Sequence, residues 1–169
     1  MNDNELRNIL LSMHHLFIYV RAHMREQLSL HILNKCRIAM RSLEQGECHS
    51  LDSFYTIITS DLTAQESLQI SYAFNSNDLH APGGPAIQKG FLSFMTEALD
   101  ITCTKIDEKD YDCAYRLIDA LHALPEMLAK GKLHASSYWN VFIKGNDLED
   151  LFLVTWRRHF KPSIRKRNF

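Results

Sequence analysis

Apolar residues recur at Leu6, Ile9, Leu10, Met13, Leu16, Phe17, Val20 and Met24, the i, i+3, i+4, i+7 spacing of a helix that buries one face. Asp3 or Asn4 is placed to cap it. A second stripe follows at Leu28, Ile32, Leu33, Cys36, Ala39, Met40 and Leu43 and stops before Gly46, a C-terminal cap. One helix of roughly 40 residues would be about 60 Å long, too long for a compact domain of this size unless it dimerises. A break at 24–29 is therefore expected.

The stretch Leu51–Thr59 is rich in aromatic and β-branched residues and is where a strand competes best, although a short helix fits better. Thr63 and Glu66 have capping-box spacing and should open a helix running to about Phe74. Asn, Asp, Pro and Gly concentrate at 75–85, which reads as the main loop and a hinge.

Ile87, Phe91, Phe94, Ala98 and Ile101 set the next helical face, with Gly90 where a neighbouring helix can approach. Ile106 and Tyr111 flank Asp107 in the manner of a hydrophobic staple around an N-cap. The following helix buries Ala114, Leu117, Ile118, Leu121 and Leu124 and should bend or stop at Pro125. A turn or two closed by Gly131 comes next, then a short helix capped by Ser136 or Ser137 through Ile143. Asn146 and Glu149 resemble another capping box, opening a last helix that Pro162 ends. These elements predict an all-α fold: a single irregular helical bundle of about seven or eight helices at 1–160, with a basic tail at 161–169.

The composition agrees with one folded domain: 169 residues, 46% hydrophobic, with only six Gly and four Pro. The net charge of -1 hides an asymmetry. Residues 157–169 carry Arg157, Arg158, Lys161, Arg165, Lys166 and Arg167 and no acid, so the body is strongly acidic. Four scattered cysteines without a CxxC, and an N-terminus without a signal-like apolar run, are expected of reduced thiols in a cytoplasmic protein. The apolar run at 9–20 is too short to span a bilayer, so no membrane partner is expected.

Motifs for chemistry are scarce. His15, His23 and His31 are eight apart and rotate by about 80° around a helix, so they do not converge. Asp119 with His122 is a lone i, i+3 pair, incomplete as a metal site or an acid–base pair, and supports only a minor reading as a metal-dependent hydrolase. Cys36, Cys48 and His49 lack a fourth zinc ligand, and Cys36 lies on the apolar stripe. The Gly pair between Pro82 and Pro85 precedes a helix but lacks the residues of a phosphate loop. No catalytic, cofactor or metal residue is assigned.

Two charged features remain. Cations at 157–167 interleave with Trp156, His159 and Phe160, a composition that neutralises phosphates and stacks on bases, docks on an acidic protein, or folds back on the acidic body. Acids cluster at Asp107, Glu108, Asp110 and Asp112, and again at Asp147, Glu149 and Asp150. An acidic helical domain can cover a basic cleft, with charge steering the encounter. The stretch 110–128 resembles helical segments of small bacterial toxin-neutralising immunity proteins, over about a tenth of the chain and without a diagnostic motif. The leading expectation is a non-enzymatic protein-binding domain of the inhibitor or immunity type. Trp156, Arg157, Arg158, Lys161, Arg165, Lys166, Arg167, Asp107, Glu108, Asp110 and Asp112 are its candidate partner contacts. Nucleic-acid binding through the tail is the alternative, and a homodimer is compatible with either.

Overall fold

A computed structural model describes residues 3–48, 50–71 and 87–165, with side chains as far as Phe160. Helices α1 (Asp3–Ala22) and α2 (Gln27–Glu44) form where the first two stripes lie, and the chain breaks between them as expected. Neither Gly nor Pro makes that break. The His23 carbonyl accepts from the Glu26 amide at 3.0 Å and from the buried Ser29 hydroxyl at 2.6 Å, which closes the turn from both sides. Gly46 follows α2 with φ 74°, the left-handed conformation a glycine adopts without a Cβ penalty.

Helix α3 (Leu51–Thr59) settles the strand-or-helix question, with Ser50 as its cap. Helix α4 (Ala64–Gln69) opens on the full Thr63–Glu66 capping box. It ends at Gln69, short of the expected run to about Phe74, because Ile70 (φ -105°, ψ 3°) leaves the helical conformation. Residues 72–74, the loop at 75–85 and its Gly pair lie outside the described residues. Helix α5 (Lys89–Asp107) packs against α2, α6 (Tyr111–Leu121) and α9 (Glu149–Arg165), while α1 packs against α2, α3, α6 and α7 (Ala123–Ala129). One hydrophobic core runs through all these contacts, from Ile9 to Phe160. No strand occurs among the described residues, and none of their helices is long and apolar enough to cross a membrane.

Several boundaries differ from expectation. The cap of α6 is Asp110, whose side chain accepts from the Cys113 amide at 3.3 Å, and Asp107 is instead the last residue of α5. Lys109, at φ 61°, takes the left-handed position that usually marks itself with glycine. The Asp110 amide then bonds back to Lys105 and the Lys109 amide to Ile106, so the chain turns three residues later than the staple pattern suggests. Pro125 neither stops nor bends α6. The helix ends at Leu121 and Pro125 falls in the first turn of α7, where the missing amide has no intrahelical partner to lose.

Ser136 and Ser137 lie inside α8 (Ala135–Tyr138), whose cap position is His134, so neither serine caps it. The chain continues from α8 into a π-helical segment, Trp139–Lys144. Asn146 does not cap α9 either, because its amide donates back to the Phe142 carbonyl at 2.7 Å. Nor does Pro162 end α9, whose backbone breaks at Phe160 (φ -129°, ψ 23°) and resumes to Arg165. The break lets proline enter as if at the start of a new helix, where it is tolerated.

Trp156 organises the C-terminal half of the core. Its ring lies 4.4 Å from Phe160, 5.1 Å from Trp139 and 5.2 Å from Phe94. Tyr138 stacks on it at 6.0 Å while donating its hydroxyl proton to the Ala120 carbonyl at 2.8 Å. Gly90 lies where α9 approaches closely, as expected, and a Cβ there would sit 3.3 Å from the Phe160 ring.

Candidate functional site

The two acidic clusters, separated in sequence, meet around Arg116. Its guanidinium donates to the Asn146 carbonyl at 3.3 Å and the Asp147 carbonyl at 3.0 Å, and stands 3.5 Å from the Asp112 carboxylate. The end of α5, the first turn of α6 and the approach to α9 therefore share one edge. Asp107, Glu108, Asp110, Asp112, Asp147, Glu149 and Asp150 are all exposed there, Asp112 with 88% of its side chain accessible. Lys105 pairs with Glu108 at 3.6 Å, Arg116 is only partly exposed and Lys109 stands exposed between Glu108 and Asp110, so the seven carboxylates outnumber the cations among them.

The basic residues behave differently. Trp156 is 1% exposed, inside the aromatic core, so it leaves the set of partner contacts. Phe160 is buried as well, and half-buried His159 holds Glu97 at 2.9 Å. Burial closes off stacking of bases on Trp156 and Phe160. Arg158 also pairs with Glu97, whereas Arg157 is exposed with no ion pair among the described residues. The side chains of Lys161 and Arg165, and all of Lys166 and Arg167, lie outside the described residues.

Asp119 and His122 are drawn to different partners. The Asp119 carboxylate binds Arg21 at 2.7 Å, and Arg21 also covers the Tyr115 ring at 4.4 Å. The His122 ring lies 5.8 Å from that of His14. His14 donates from Nδ1 to the His122 carbonyl at 2.5 Å, and its Nε2 is 3.3 Å from the Glu126 carboxylate. Both neighbours are acceptors.

Burial holds His122 below the ordinary histidine value, with His14 adding to the effect, and its Nδ1 is buried without a partner. Burial would push Glu126 up, but His14, Lys130 and His122 outweigh it and hold the carboxyl down. The sequence reading missed this cluster because His14 and Arg21 come from α1, about a hundred residues away. Among the described residues, no group of three or more His, Cys, Asp or Glu is arranged to hold a metal ion.

All four cysteines are buried and free. Burial raises the Cys36 thiol far above its ordinary value and Cys103 to about 11, so neither is poised as a thiolate nucleophile.

No family model, curated protein or solved structure matches this chain.

Proposed function

We propose that this chain is a non-enzymatic protein-binding domain whose acidic edge covers a basic surface on its partner, as inhibitors and immunity-type proteins do. The observation that carries this reading is the seam at Arg116, which joins two acidic clusters into one exposed edge. A broad field of one sign steers a basic partner during encounter and rejects acidic competitors. The edge is set on the ends of packed helices, so the backbone that carries its carboxylates is ordered before the partner arrives.

The test is affinity purification from the source cells, with and without nuclease, using the wild type and a D107K/E108K/D112K variant. Asp110 stays in place because it caps α6. A basic protein retained in stoichiometric amount by the wild type and lost from the variant supports the reading. Retention of the same protein by both overturns it, and so does a bound nucleic acid that nuclease removes to leave nothing.

A further inference from the structure

The outer face of α9 shares Asp150 with the acidic edge but carries beyond it an order of residues that the edge does not explain. Asp150, Val154 and Arg157 follow one another at i, i+4 and i+7, within about 60° around the helix. Val154 is 71% exposed, and Leu151, 37% exposed, lies on its other flank. Neither Asp150 nor Arg157 has an ion-pair or hydrogen-bonding side-chain partner among the described residues. The face is thus acidic toward its N-terminal end, apolar at its middle and basic toward its C-terminal end.

Such an order is self-complementary when reversed. Two copies of α9 laid antiparallel about a two-fold axis at Val154 place Val154 against Val154. Asp150 of each copy then faces Arg157 of the other, and Leu151 faces the stem of Arg158, whose guanidinium is already held by Glu97. Each helix end also meets the opposite end of its neighbour, the favourable sense for their dipoles.

We infer that this chain forms a homodimer through antiparallel pairing of α9, with Val154 on the two-fold axis and two reciprocal Asp150–Arg157 ion pairs. The contact is small, so the dimer is weak and concentration-dependent. It replaces the case for dimerisation by one long N-terminal helix, which the turn between α1 and α2 removes. It goes beyond the proposed partner-binding edge, whose test variant leaves α9 unchanged.

Sedimentation velocity over a range of micromolar concentrations tests it, with circular dichroism confirming that each variant is folded. D150R and R157D each set like charges against one another, and each is expected to weaken the dimer at least about tenfold. An equimolar mixture of D150R and R157D pairs opposite charges at both contacts and is expected to recover association as a heterodimer. V154D is expected to abolish association with no such rescue. A wild type that stays monomeric throughout, single variants that associate like the wild type, or a mixture that does not recover would each overturn the proposal.

Discussion

The guanidinium of Arg7, fully buried on α1, donates to the Ala129 carbonyl at the end of α7 at 2.8 Å and to the Leu128 carbonyl at 3.3 Å. A cation thus sits at the helix end where the dipole is negative; the Leu128 carbonyl also accepts from the Gly131 amide at 3.2 Å, so Arg7 matters most to the Ala129 carbonyl. Removing the guanidinium takes away the donor to the Ala129 carbonyl and loosens the packing beside the core. R7M is expected to cost about 3 kcal/mol in urea denaturation, since charged hydrogen bonds and buried orphans dominate the loss. A cost under about 1 kcal/mol would mean that Arg7 is not the tie between α1 and α7.

The cluster at the same α1–α7 seam makes stability depend on acid. The folded pKa of His122 lies below its unfolded value of 6.5, so below that pH the unfolded chain binds the extra proton and unfolding gains. The contribution is complete above pH 6.5 and is lost as the pH falls through the lower folded value. His14 and Arg21 from α1, Asp119 from α6, and Glu126 and Lys130 from α7 face or adjoin this group. Glu126, also held down, acts in the same direction but only below its unfolded value of 4.5. Unfolding free energies measured between pH 6.5 and 4.5 are expected to fall with acid in the wild type and to fall less in H122N. Equal slopes for the two proteins would remove His122 as the cause.

Two glycines separate a forbidden contact from a tolerable one. A Cβ on Gly145 would lie 2.0 Å from the Val141 carbonyl oxygen, because the wide turn of the π segment brings that oxygen beneath it. G145A is expected to cost about 2 kcal/mol and lower Tm by about 4–8 °C. G90A meets only the edge of the Phe160 ring, at 3.3 Å, and gains helix propensity of about 1 kcal/mol. Its Tm is expected to stay near that of the wild type. Equal Tm values for G145A and the wild type would show that the π turn yields easily.

The helices were legible where one physical signal decided them. The Leu6-to-Val20 stripe, the Thr63–Glu66 box and the glycine after α2 each became the element they suggest. Boundaries went astray where a residue stood in an unexpected conformation. Lys109 and Asp147 adopt positive φ at helix ends, so no glycine announces either turn, and the sequence pattern points to caps at Asp107 and Asn146 instead. The acidic clusters could be read from composition, but their junction through Arg116 depends on backbone carbonyls thirty residues away. Trp156 shows the converse. Its basic neighbours suggested a surface anchor, while its helical spacing with Phe152 and Phe160 placed it in the core.

The most direct test is the affinity of the captured partner for wild type and for D107K/E108K/D112K, measured by calorimetry at two ionic strengths. Reversing three edge charges is expected to weaken binding at least about 100-fold at low salt, with the gap narrowing as salt screens the field. Affinities within about twofold of each other, for variants with unchanged circular dichroism, would contradict an acidic edge as the binding surface.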